Sequence, residues 1–132
     1  MSKTEVTPAL REELIDASRR ALPEEACGIL LGRHGVVREI VGMTNQARRP
    51  LDQFALDPLE YMHAERDAGQ RGLDVLGVWH SHPDGRAEPS ESDRRAAWAG
   101  WLYVIVGSPG DAHAEIRGWR LNGSRFEEEV LC

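Results

Sequence analysis

Two imidazoles two positions apart, His80 and His82, are followed by Ser90 and Asp93, so four reactive side chains fall within fourteen residues. Neutral imidazole and carboxylate oxygen are both good zinc ligands. A hydrolytic zinc site holds the ion with three protein ligands and keeps a fourth position open. His80, His82 and Asp93 supply three. The run before them, Leu73 to Trp79, reads as a buried strand. Side chains two apart on a strand point the same way, so the two imidazoles can share one ion. A lone His-x-His is more often a strand running out into a polar loop with two surface histidines. The addition of Pro83, Ser90 and Asp93 turns the balance toward a metal site. Hydrolysis also needs a group that takes a proton from water and delivers it to the leaving group. Glu25 is the candidate, because it stands just ahead of the apolar run Cys27 to Leu31, at the rim of a core. Glu24-Glu25 after Pro23 also fits an exposed loop.

The elements that must position these groups follow from periodicity and turn chemistry. Thr7-Pro8 opens a helix whose apolar face is Leu10, Leu14, Ala17 and Ala21, and Pro23 stops it. Cys27 to Gly32 and Val36 to Val41 form a hairpin across Arg33-His34-Gly35. Thr44 to Gln53 is a polar loop, and Phe54-Ala55-Leu56 reads as a short strand. Asp57-Pro58 starts a second helix that runs to about Arg71-Gly72. The strand ending at His80 follows, then a loop from Pro83 to Pro89. Ser90-x-x-Asp93 is a capping box that opens a helix through Trp98. Tyr103 to Gly107 is a buried strand. Ala114 to Leu121 and Arg125 to Leu131 pair across Asn122-Gly123. The pattern is α+β, a mixed sheet with helices packed on it.

Composition narrows the function. A chain of 132 residues fits one domain, 1–132. The net charge of -6 argues against nucleic-acid binding, which needs a basic surface. Met1 to Glu5 carries no apolar signal region, and no apolar run reaches membrane-spanning length. The expected setting is the cytoplasm. Cys27 and Cys132 make no disulfide framework. Cys27 reads as a buried inert thiol, and Cys132 as exposed at a frayed terminus. His34, His63 and His113 read as surface or satisfied histidines. Arg48 and Arg49 are a solvated loop pair or a grip on an acidic substrate surface.

Taken together, Glu25-Ala26-Cys27-Gly28, His80-Ser81-His82-Pro83 and, seven residues on, Ser90-x-x-Asp93 resemble the JAMM (MPN-plus) zinc metallopeptidase family. The order of strands and helices from Leu10 to Val130 agrees with it. The resemblance implies a curved mixed sheet flanked by helices, similar to the cytidine-deaminase-like architecture. It implies one zinc per chain on His80, His82 and Asp93. Glu25 would serve as general base and then acid. Ser90 would donate to the developing oxyanion, a role that competes with its capping of the helix. Ser81, on the opposite strand face, reads as a structural hydroxyl. The chain lacks the extra segments of members that cut ubiquitin chains, which implies the compact prokaryotic branch. Members of that branch act on ubiquitin-like sulfur carrier proteins. The expected reaction is hydrolysis of a peptide or isopeptide bond after the carrier's C-terminal Gly-Gly. Two alternatives stand beside it: a non-catalytic MPN scaffold that binds partners, and a zinc hydrolase of other small substrates. A scaffold would lack the ligands; a deaminase would want a Cys-x-x-Cys pair, which is absent.

Overall fold

Proline and capping residues set most element starts. The computed structural model describes residues 2–132. The chain runs β1 (Lys3–Thr4), α1 (Pro8–Ala21), β2 (Cys27–Arg33), β3 (Val36–Met43), α2 (Pro58–Gln70), β4 (Asp74–His82), α3 (Glu91–Ala96), β5 (Leu102–Gly107), β6 (Glu115–Asn122) and β7 (Arg125–Leu131). Thr7 caps α1 and Asp57 caps α2 through their side-chain oxygens, each followed by proline at the first helical position, where no N–H is needed.

The seven strands form one mixed sheet in the order β1-β7-β6-β5-β4-β2-β3. β4 and β5 are parallel, joined by the crossover that contains α3; β1 is parallel to β7, and the other neighbours are antiparallel. Leu10 and Leu14 of α1 pack on one face with Leu30, Trp79, Val104 and Val106. Ala64 and Ala68 of α2 pack on the other with Ile29, Leu31 and Val75. Both faces of the central strands are therefore covered, which is why β2 and β5 are apolar without alternation. Gly28 lets the Trp79 indole lie across β2 and donate to the Val41 carbonyl at 3.3 Å. A Cβ there would collide with that carbonyl and with the indole.

The mixed sheet with flanking helices is the expected architecture, with local departures. Phe54 to Leu56 is not a strand: only an isolated bridge joins Asn45 to Leu56, because this segment pairs with its own loop rather than with the sheet. α3 ends at Ala96, before Trp98. Ala97 is extended, and the Trp98 N–H turns to the Tyr103 hydroxyl at 2.7 Å. β4 continues past His80 to His82. The C-terminus is not frayed: the Cys132 N–H donates to the Thr4 carbonyl at 2.9 Å and its carbonyl accepts from Val6 at 2.8 Å. Cys132 is nevertheless exposed, and Cys27 is buried. No helix of the described residues is long and apolar enough to cross a membrane.

Candidate active site

The carboxyl end of β4, the start of α3 and the segment before β2 converge on one point. His80 and His82 alternate with buried Ser81 on β4, so both imidazoles project from one face. Their Nε2 atoms lie 3.3 Å apart. Asp93 Oδ2 lies 3.1 Å from His80 Nε2 and 3.0 Å from His82 Nε2. Glu25 joins them: one ligand atom each from Glu25, His80 and His82 lies within 4.8 Å of the others. Ser81 serves the assembly from behind. Its Oγ accepts from Ala26 N–H at 2.8 Å and its own N–H donates to the Ala26 carbonyl at 3.0 Å, which extends the β2–β4 pairing to the residue beside Glu25.

The donor set fits a metal cation. Three donors around a tetrahedral zinc at 2.0–2.1 Å stand about 3.3–3.4 Å apart, close to the measured triangle. Proton accounting gives the stronger argument. His82 Nδ1 faces the Arg86 carbonyl at 2.8 Å, and a carbonyl can only accept. Nδ1 therefore carries the proton, and the Nε2 of a neutral His82 presents a lone pair to the Asp93 carboxylate. Two lone-pair groups 3.0 Å apart need a positive charge between them, either a proton or a metal ion. A ligating imidazole held by a carbonyl on its other nitrogen is the usual outer support of a metal site.

Asp93 is itself oriented. The capping box expected at Ser90 is present: Ser90 Oγ accepts from Asp93 N–H at 3.0 Å, and Asp93 Oδ2 accepts from Ser90 N–H at 2.9 Å. Ser90 thus caps α3 with its oxygen while its hydroxyl proton remains free to donate. Burial would raise the Asp93 pKa, but the hydrogen bonds from His80 and His82 outweigh it and hold the carboxyl well below its usual range. Burial lowers His80. Burial also opposes the charged form of His82, yet the bonds to Asp93 and the Arg86 carbonyl prevail and raise it. Glu25 behaves oppositely to Asp93. Burial pushes it up to about 8; His82 pulls it down, and Asp93 and Asp52 push it further up. Its Oε1 is buried and, among the described residues, has no hydrogen-bond partner.

Several supporting residues carry no signal in the sequence. Phe54 stacks on the His80 ring, centroids 4.3 Å apart at 20°. Trp119 Nε1 donates to the Ala87 carbonyl at 2.9 Å, and Ala87 N–H donates to Glu115 at 2.8 Å. The buried Ala87 thereby anchors the loop that supplies the Arg86 carbonyl. Burial pushes the Cys27 thiol up to about 12, which disfavours the thiolate a nucleophile needs. Arg49 pairs with Asp52 at 2.6 Å in the exposed loop.

A family model for prokaryotic homologs of the JAB domain matches residues 7–122. The chain belongs to this family. A probable TtuB-protein conjugate cleaving protease of Thermus thermophilus is 35% identical over 105 residues, 80% of this chain and 70% of that protein. A CysO-cysteine peptidase of Mycobacterium tuberculosis is 32% identical over 129 residues, 92% of this chain and 88% of its own. The solution structure of a Desulfitobacterium hafniense protein, 30% identical, matches with a TM-score of 0.88 over 98% of this chain and 91% of that one. A JAMM protein described as having a metalloprotease-like zinc site shares the fold, with a TM-score of 0.60 at 20% identity over 100% of this chain and 98% of that one. Within the prokaryotic JAB family, then, this chain presents two imidazoles and a carboxylate in mutual contact beside a second, partnerless carboxylate.

Proposed function

We propose that this chain is a zinc-dependent peptidase or isopeptidase that hydrolyses the bond after the C-terminal Gly-Gly of a ubiquitin-like sulfur carrier protein. The observation that carries the reading is the triangle of His80, His82 and Asp93 with the partnerless Glu25 against it. His80 Nε2, His82 Nε2 and Asp93 Oδ2 would hold the zinc. When bound, zinc would act as a Lewis acid toward the scissile carbonyl and make water a better nucleophile at neutral pH. Glu25 accepts a proton from the attacking water, and its carboxyl then delivers that proton to the leaving amine as the C–N bond breaks. A carboxyl whose pKa lies near neutrality suits both transfers, and a neighbouring cation would lower that of Glu25 from about 8. The Ser90 hydroxyl donates to the carbonyl oxygen as it gains charge.

The relatives named for cleaving TtuB conjugates and CysO-cysteine support the carrier as substrate. So does the shape of the approach. A cleft of about 990 Å³ runs from Glu25 and Cys27 along Val41 and Met43 to Asn45; it reaches the cluster only at Glu25, since His80, His82 and Asp93 do not line it. It follows β3, an edge strand, whose outward backbone groups suit an extended tail. Glycines next to the cut bond let the backbone approach without Cβ contacts. The test is zinc content of the purified protein together with cleavage of carrier–peptide fusions ending in Gly-Gly, Gly-Ala and Val-Val. One zinc per chain and cleavage confined to Gly-Gly are expected. Equal cleavage of all three would make it a general peptidase, zinc without any cleavage would favour a zinc hydrolase of other small substrates, and neither zinc nor cleavage would favour a binding scaffold.

A further inference from the structure

Among the described residues no side-chain hydrogen bond holds Glu25, whose Oε1 is buried without a partner, so its aim depends on its backbone. Both of its backbone groups are spent on the loop between β3 and α2. Its N–H donates to the Pro50 carbonyl at 2.8 Å, and its carbonyl accepts from Asn45 Nδ2 at 3.0 Å. The same Nδ2 donates to the Gln53 carbonyl at 2.9 Å. Asn45 Oδ1 accepts from the N–H groups of Ala47 at 3.0 Å and Ala55 at 3.1 Å. The carboxamide thus makes four bonds, its full capacity, and joins the Glu25 backbone to both arms of the loop. One arm ends at Phe54, which lies on His80.

We infer that Asn45 is the positioning residue of the proton carrier, setting Glu25 against the centre through the Glu25 carbonyl and the Phe54 loop. Asparagine alone meets the geometry. Aspartate keeps the acceptor bonds but cannot donate; alanine loses all four; glutamine is longer by a methylene. The inference rests on the reading of Glu25 as proton carrier, and its test separates the two.

The test compares Asn45→Asp, Glu25→Gln and the double variant, by single-turnover cleavage of a carrier ending in Gly-Gly fused to a short peptide. Zinc affinity is measured alongside with the metal alone. Asn45→Asp should bind zinc within about threefold of the parent and change KM little, yet lower kcat by about 10–100-fold. In the Glu25→Gln background the same change should cost less than about twofold, because the group it positions no longer carries a proton; residues acting as one unit are non-additive in this way. Thr44→Ala removes the hydroxyl's bond to Glu60 at 2.8 Å, one of the two that hold the start of the same loop, and leaves the backbone N–H's; it should leave kcat near the parent's. Full additivity of Asn45→Asp with Glu25→Gln, an unchanged kcat, or an equal fall in Thr44→Ala would make Asn45 a loop brace and overturn the proposal. Loss of zinc or of the fold in both Asn45→Asp and Asn45→Ala would overturn it too. Undiminished turnover in Glu25→Gln would instead remove the proton-carrier reading itself.

Discussion

The loop after His82 and the loop after Met43 flank the same cluster and are tied down with equal care, yet they leave opposite things free. On the β4–α3 side, two of the three candidate ligands are held by hydrogen bonds to their side chains, while among the described residues buried His80 Nδ1 has no partner and its ring is held by the stacked Phe54. His82 Nδ1 donates to Arg86, Asp93 Oδ2 accepts from Ser90, and Ala87 anchors the loop between Trp119 and Glu115. On the Glu25 side the backbone is held by Asn45 and Pro50, while the carboxylate oxygen Oε1 has no partner. The difference matches two tasks. A metal ligand loses affinity if its ring or carboxylate can swing. A proton carrier bonded to the protein would have to break that bond at each transfer. On the proposed reading, the chain fixes His82 and Asp93 by their side chains and Glu25 by its main chain.

The comparison breaks most severely if the held side is removed. His80→Ala with His82→Ala should reduce zinc from about one per chain to near none and abolish cleavage, as read by metal analysis of the purified proteins. Equal zinc in parent and double variant would place the metal elsewhere.

Removing the free side should cost less and leave the metal. Glu25→Gln should keep zinc and lower kcat by about 10²–10⁴-fold. It should also stabilise the metal-free protein. The folded pKa of Glu25 is raised from 4.5 to about 8, so between these values the folded state binds a proton that the unfolded state has released. Stability contributed below pH 4.5 is lost as pH rises through that window. The amide is neutral throughout. The Tm of Glu25→Gln should thus match the parent in acid and exceed it near pH 8, by an amount equivalent to about 2 kcal/mol once solvent at the open side of the site is allowed for. A Tm gap that does not widen with pH would mean Glu25 is solvated in the folded protein.

The two sides also differ in how far they could be read in the chain. His80 and His82 were legible as a pair because a strand has period two, and Ser90-x-x-Asp93 because a capping box is local. Glu25 sits in a segment that looks like an exposed loop; it drew weight only from the residues far downstream that it resembles a family with. Asn45, Phe54 and Trp119 were silent. Trp119 meets Ala87 from 32 positions away, and Asn45 meets Glu25 from 20; such partners are set by sheet order, which periodicity does not specify. β1 carries no sequence signal for the same reason, since two residues gain a strand only from their partner β7.

The support of the held side can be loosened without touching a ligand. Trp119→Phe keeps the aromatic bulk but deletes the N–H donated to the Ala87 carbonyl. Ala87 then has one anchor fewer, and the Arg86 carbonyl is less well placed for His82. Zinc affinity should fall by about tenfold, at the mild end of the effects known for outer supports, while kcat at saturating zinc stays within about twofold. A chelator competition measures the first and turnover with added zinc the second. A fall in kcat with unchanged affinity would mean that the loop acts on substrate rather than on the ligand.

The smallest effect on chemistry belongs to a buried carboxylate far from both sides. Glu129 is 3% exposed and accepts from Thr4 Oγ1 at 2.6 Å and from Arg120 Nε at 3.1 Å, clasping β1, β6 and β7. Burial would raise its pKa, but the bonds from Thr4 and Arg120 prevail and lower it. Its contribution is therefore complete above the ordinary carboxylate range and lost as pH falls through the lowered folded value. Glu129→Gln should destabilise the protein at neutral pH by about 1–3 kcal/mol, the scale of hydrogen bonds to a charged group. The gap should persist down to about pH 4 and close only below it. The strands it clasps end the sheet, the nearest of them two places from β4, so kcat, KM and zinc affinity should not change at temperatures where the variant is folded. A loss of zinc affinity in this variant would show that the edge of the sheet and the metal centre are coupled, and that the ligands are held by more than the loop beside them.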